Sequence, residues 1–170
     1  MSRRQSSGIG TLSALGIGAY FAFSGHLPSV HMDSVKAPTH AARVAIRYAE
    51  AQIGKPYIWG GTGPGGYDCS GLTEMAYASA GVHEPRTAAE QWDWGTKVPP
   101  SQVKAGDEAF FAGSDGSDVS PGHVGLVINP RKHLMVEAYA TGTNIRISHY
   151  GPLGAPGDTN PVGFTRPSRH

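Results

Sequence analysis

Cysteine is nearly absent: Cys69 is the one thiol in 170 residues. No intrachain disulfide can form, so this is not a disulfide-stapled scaffold. Charge is also sparse, at 16% Asp, Glu, Lys and Arg, with a formal net charge of +1. No basic field draws the chain to nucleic acid, and that class of partner is excluded. No apolar run reaches the roughly 20 residues that a spanning helix needs. The 24 glycines and 13 prolines follow no Gly-X-Y period, so a collagen-like chain is excluded and many turns are expected. What remains is 39% hydrophobic, enough to build a core and to exclude wholesale disorder.

The N-terminus reads as an export signal. Arg3 and Arg4 give a basic start, and Gly8 to Phe23 is apolar and rich in Ile, Leu, Ala and Phe. Ala22-Phe23-Ser24 puts small residues where a signal peptidase reads, so cleavage is expected after Ser24. The competing reading is an uncleaved membrane anchor. Loss of residues 1–24 removes two positive charges and leaves a net charge of −1. Residues 25–38 read as a linker, and residues 39–170 as the folded domain. His26, His31 and His40 lack metal-ligand spacing and read as solvated linker histidines.

Within the domain, Thr39 is placed to cap a helix from His40 to about Ile53, stopped by Gly54-Lys55-Pro56. Asp68 is placed to cap a second helix from Cys69 to Ala80, and a third is expected over Thr87 to Trp94. Strand patterns follow at Glu108–Phe111, His123–Ile128, Leu134–Ala140, Asn144–Ser148 and Val162–Thr165. Helices first and strands later predict an α+β fold with an antiparallel sheet.

Gly61-x-Gly63-x-x-Gly66 matches the dinucleotide fingerprint in its letters alone. It lacks the βαβ setting that gives the fingerprint meaning, and no Gly-Lys-Ser/Thr follows it. A tightly turned loop beside a site is the better reading. Asp68-Cys69-Ser70-Gly71-Leu72 is more informative. A cysteine in the first turn of a helix meets unsatisfied N–H groups and the positive end of the helix dipole, which favour thiolate over thiol. Cys69 is therefore a candidate nucleophile, the competing reading being a buried structural cysteine.

Such a nucleophile needs a base, and the base an orienting group. His123 opens a strand, and Glu137 is the lone acid in the next one. Pairing Gly125 opposite Glu137 puts Glu137 diagonal to His123 on one face, about 7–8 Å away at the backbone. A slip of one residue would turn Glu137 to the other face.

These residues fall into a wider pattern. Gly54-Lys55-Pro56-Tyr57-Ile58-Trp59-Gly60-Gly61 precedes Tyr67-Asp68-Cys69-Ser70-Gly71-Leu72. Pro85-Arg86-Thr87, Gln91, Gly106-Asp107, Phe110-Phe111 and Gly122-His123-Val124-Gly125 follow in order. The chain resembles the NlpC/P60 family of cysteine peptidases, which cleave cell-wall peptides. The resemblance implies a papain-like α+β fold, with Cys69 as nucleophile, His123 as general base and Glu137 as the third polar residue. It places Tyr57, Asp68 and Ser70 along the substrate cleft, with Tyr57 expected to help stabilise the oxyanion. Asp68 alone is equally well read as only a helix cap.

The activity implied is hydrolysis of peptidoglycan stem peptides at the γ-D-glutamyl–diaminopimelate bond. No metal or cofactor is implied, and the expected setting is a monomer that is secreted or anchored facing outside. An amidase or acyltransferase on another amide, or a non-catalytic wall-binding protein, are the alternatives. The chain departs from the family in Glu108-Ala109, where two apolar residues are usual. Glu108 is expected to point outward from an edge strand. The polar loop from Gly113 to Gly122 is expected to border the cleft.

Overall fold

The computed structural model describes residues 37–151 and 160–168. The chain divides into units Met1–His31 and Met32–His170, and every described residue belongs to the second. The expected export segment, most of the linker, His26 and His31 lie outside the described residues. No helix among the described residues is long and apolar enough to cross a membrane.

Thr39 begins helix α1 (His40–Glu50) by accepting a hydrogen bond from the Ala42 amide at 3.0 Å. Ala42, Ala45 and Ala49 recur at helical spacing and are buried, so small side chains line the inner face of α1. The helix ends earlier than the pattern suggests. Residues 51–54 form a turn, with Gly54 at φ +90° donating its amide to the Ile145 carbonyl at 2.9 Å. That positive φ is a glycine conformation, and the bond ties the turn to the segment around Ile145.

Asp68 begins α2 (Cys69–Ala78) by accepting from the Gly71 amide at 2.7 Å. Most of α2 is buried, so it serves as the central helix against the sheet. Thr87 and Glu90 form a reciprocal capping box at the start of α3 (Ala88–Trp94).

Six antiparallel strands make one sheet: β1 (Thr96–Val98), β2 (Glu108–Phe111), β3 (His123–Asn129), β4 (Leu134–Glu137), β5 (Arg146–His149) and β6 (Gly163–Arg166). Their spatial order is β1-β6-β2-β3-β4-β5. The α+β class and the antiparallel sheet are as expected from the sequence. Strand β1 is an addition, too short and exposed for its pattern to show. Strand β4 stops at Glu137 because Ala140 and Thr143 close a turn, the Ala140 amide donating to Thr143 Oγ1 and the Thr143 amide to the Ala140 carbonyl.

The largest core cluster joins Leu72, Ala76 and Tyr77 of α2 to Leu126 and Ile128 of β3 and Val136 of β4. A second cluster gathers Ala109, Val127, Met135, Tyr150 and Phe164. Strand β3 is buried along its whole length, so a residue at its start is held rigidly.

Glu108 corrects the expectation of an outward-facing edge residue. Strand β2 lies between β6 and β3, and Glu108 is 1% exposed. Chain order hides this, because the interior position of β2 is created by β6, which arrives more than fifty residues later. Glu108 meets the buried Glu84 and receives the Thr165 hydroxyl at 3.4 Å. Burial raises the pKa of both carboxyl groups; Glu108 raises Glu84 further, while the hydrogen bond from Glu84 offsets only part of the rise at Glu108.

The sign of the pH effect follows. The folded chain holds a proton here that the unfolded chain releases above about pH 4. Stability from this pair is therefore full below that pH and falls as pH rises through the raised value. Glu108→Gln is expected to melt a few degrees higher than the parent at pH ~8 and to lose that advantage near pH ~4. Thermal denaturation at the two pH values checks it; equal differences at both would show that no proton is held.

Candidate active site

Cys69 is the first residue of α2, and its position follows from the cap. Asp68 Oδ1 takes the Gly71 amide, while Oδ2 takes the Gly60 amide at 3.0 Å. Arg86 adds a two-point ion pair, with its Nη1 3.0 Å from Asp68 Oδ1 and its Nη2 2.6 Å from Oδ2. Arg86 Nη1 also donates to Ser70 Oγ at 3.0 Å. Asp68 is thus both a helix cap and a lining residue of the cleft. The buried Gln91 side chain donates to the carbonyls of Ser70 and Pro85, each at 3.0 Å, and accepts from Thr73 Oγ1. It holds the first turn of α2 to the segment that carries Arg86.

His123 starts β3 beside this turn. Cys69, Phe110 and Val124 share one buried cluster, which seats the sulfur against the sheet. The strand register puts Leu126 opposite Val136, and its continuation places Gly125 opposite Glu137, the expected pairing. Met135 fills the space above Gly125. Glu137 reaches diagonally, and His123 Nε2 lies 2.8 Å from Glu137 Oε2. With Nε2 committed to the carboxylate, Nδ1 is the ring nitrogen left for the thiol.

Burial of His123 favours the neutral ring. Hydrogen bonding to Cys69 and Glu137, with the charge on each, more than offsets this and pushes its pKa up to about 9. Two rings frame the imidazole: Phe111 at 5.6 Å between centroids, and Tyr139 edge-on at 5.7 Å. The other oxygen of Glu137, Oε1, receives Arg146 Nε and Nη2, both at 3.2 Å.

A cleft of about 1250 Å³ opens over these groups. Tyr57, Asp68, Ser70, Arg86, Cys69 and His123 all line it. The 113–122 loop forms one wall, as expected, and brings Asp115 and Asp118 to it. Trp59 stands at the rim with 77% of its surface exposed. Burial, followed by the proximity of the acidic groups Cys69, Asp68 and Asp115, pushes the Tyr57 hydroxyl up to about 12, so it stays a proton donor. No group of three or more His, Cys, Asp or Glu side chains among the described residues is arranged to hold a metal ion.

Residues 54–152 match the sequence model of the NlpC/P60 family, more than half of the chain. The chain belongs to the NlpC/P60 family. A probable endopeptidase of Corynebacterium glutamicum (strain R) is 38% identical over 112 residues, covering 60% of this chain and 53% of that protein. A gamma-DL-glutamyl hydrolase of Bacillus subtilis (strain 168) is 38% identical over 91 residues, covering 52% of this chain and 22% of its own. The solved structure of the peptidoglycan hydrolase RipB of Mycobacterium tuberculosis superposes with a TM-score of 0.59 at 31% identity. That match covers 74% of this chain and 64% of RipB. The chain spans about half the length of the Corynebacterium relative and less of the Bacillus one.

Five of the six residues that the NlpC/P60 resemblance singles out line one cleft, and the sixth, Glu137, is buried behind it on the His123 ring. Sequence reasoning gave no role to Arg86, Gln91, Tyr139 or Arg146. Arg86 and Gln91 stand within the matched motif segments, so a signal for them existed. Arg146 had none, since its contact with Glu137 depends on the pairing of β4 with β5.

Proposed function

We propose that this NlpC/P60 domain is a cysteine endopeptidase that hydrolyses peptidoglycan stem peptides, with Cys69, His123 and Glu137 as its catalytic residues. The observation that carries the reading is the 2.8 Å hydrogen bond between His123 Nε2 and Glu137, which leaves Nδ1 for a cysteine at a helix N-terminus. His123 takes the proton of Cys69 Sγ, and the thiolate attacks the scissile carbonyl carbon. The cap uses the Gly71 amide, which leaves the Cys69 and Ser70 amides of the first turn, with the Tyr57 hydroxyl, to receive the oxyanion. His123 returns its proton to the leaving amine, giving a thioester. Water then attacks the thioester, His123 takes its proton, and the thiol is restored as the acid product leaves. Asp68 and Ser70, set by Arg86, hold the peptide.

The bond assigned is the one after γ-D-glutamate, before the diamino acid. The gamma-DL-glutamyl hydrolase among the relatives supports a γ-glutamyl carbonyl, and RipB supports peptidoglycan as its source. Activity on the wall requires delivery outside the membrane, for which residues 1–24 are suited as signal or anchor. No metal or cofactor takes part, and one copy of the domain carries all the groups named.

The test is digestion of purified peptidoglycan by the full chain, with products identified by mass spectrometry. A new free amine on the diamino acid, paired with a C-terminal γ-D-glutamate, is the expected result. A cut at another amide would replace the bond and retain the mechanism. Intact peptidoglycan would overturn the assignment.

A further inference from the structure

Glu137 is 3% exposed, a position in which burial alone drives a carboxyl group to hold its proton. It is nonetheless held below the usual carboxylate range: burial raises it, but His123, Ser148 and Arg146 together outweigh that. These groups, with Tyr139 and with Cys69 beyond the imidazole, are the titratable and polar side chains that face it among the described residues.

Arg146 is the one cation in that set besides the imidazole, and it comes from the edge strand. The register of β4 and β5 puts Glu137 directly opposite Arg146. Half of the Arg146 side chain is exposed, so it is free to extend into water. Instead it turns inward, and two of its nitrogens converge on Glu137 Oε1. Its guanidinium also lies over the Tyr139 ring at 4.8 Å, the same ring that stands edge-on to His123. One side chain thus holds both the carboxylate bonded to the imidazole and the ring that packs beside it.

We infer that Arg146 is a positioning residue of the active site, which fixes the Glu137 carboxylate by one oxygen so that the other stays on His123 Nε2. The inference rests on the catalytic roles proposed above. Without Arg146, the carboxylate is free to rotate and to offer either oxygen or neither. The loss of a neighbouring positive charge also lets Glu137 take up a proton at higher pH. A protonated Glu137 no longer supports the imidazolium, so activity should fail earlier on the acid side.

The experiment compares the full chain with Arg146→Gln, Arg146→Lys, Glu137→Gln and the Glu137→Gln/Arg146→Gln double variant. Two readouts are taken against pH: steady-state turnover of a stem peptide, resolved into kcat and KM, and the rate of Cys69 alkylation by iodoacetamide. Arg146→Gln is expected to lower kcat about tenfold with little change in KM, and to move the acid limb of both profiles up by about half a unit. Arg146→Lys keeps the charge but not the fork, so it should restore the limb and only part of the rate. In the Glu137→Gln background, Arg146→Gln should add nothing, because its effect passes through Glu137.

Profiles of Arg146→Gln that superimpose on the parent's, with or without a lower melting temperature, would overturn the inference. So would a full loss that persists in the Glu137→Gln background. If the parent turns over no peptide, the alkylation profiles still decide the case, and only the substrate assignment fails. If Glu137→Gln leaves the alkylation profile of the parent unchanged, the role of Glu137 fails and that of Arg146 with it.

Discussion

Cys69→Ala is expected to abolish peptide hydrolysis, by about 10⁴-fold or more in kcat/KM, and to leave the fold intact. The two halves of that result have separate causes. Alanine suits the first turn of a helix, and Asp68, which caps α2 and pairs with Arg86, is untouched by the change. The contact of the sulfur with the protein backbone is a long one, 3.9 Å to the Gly122 carbonyl. Its removal costs little stability, so the melting temperature should change by no more than about 2 °C. Catalysis has no substitute for the sulfur, since Cys69 is the only thiol in the chain. Water held in the cleft lacks the nucleophilicity and the pre-set position of a side-chain thiolate. Rates on a stem peptide, with circular dichroism melts of both proteins, check the result. Appreciable residual turnover would move the chemistry to another group in the cleft and remove Cys69 from the mechanism.

What the sequence discloses about this site follows the range of the physics involved. The cap at Asp68 and the position of Cys69 are local, because a side-chain oxygen and an amide three residues on decide them. The pairing of His123 with Glu137 spans one hairpin, short enough for the register with Gly125 opposite Glu137 to stand as an expectation, and the pairing of Leu126 with Val136 continues into it. Beyond one hairpin the signal stops. Glu108 looks like an edge residue until β6 is placed beside it, and nothing near Glu108 announces β6. Arg146 needs the length of the 138–145 turn to be known before its partner is fixed. Arg86 reaches Asp68 from 18 residues away, across α2 and the irregular segment that follows it. The roles of the cationic supports were thus the illegible part, although Arg86 itself stands in a matched motif, because each is joined to the site only by tertiary structure.

Gly71→Ala sets helix propensity against close packing, and packing should prevail. Gly71 lies in the first turn of α2, where alanine is favoured over glycine by about 1 kcal/mol on propensity alone. The space does not allow it. A Cβ on Gly71 would stand 2.1 Å from the Gly61 carbonyl oxygen and 2.8 Å from Asp68 Oδ1. The first of these is backbone, and it is engaged: the Gly61 carbonyl accepts the Asp68 amide at 3.0 Å. Relief requires the 60–66 loop to move away, which breaks that bond, or Asp68 to swing aside, which releases the cap, the Gly60 amide and the Arg86 pair together. A net loss of about 3 kcal/mol, seen as a melting temperature lower by about 10 °C, is expected. Activity should fall further than stability, since a shift of about 1 Å in a reacting group can cost about 10²-fold. Thermal melts and peptide turnover measured below the transition separate the two effects. A variant that melts higher than the parent would show that the loop yields freely, and that the glycine is not what seats Cys69 against the cleft.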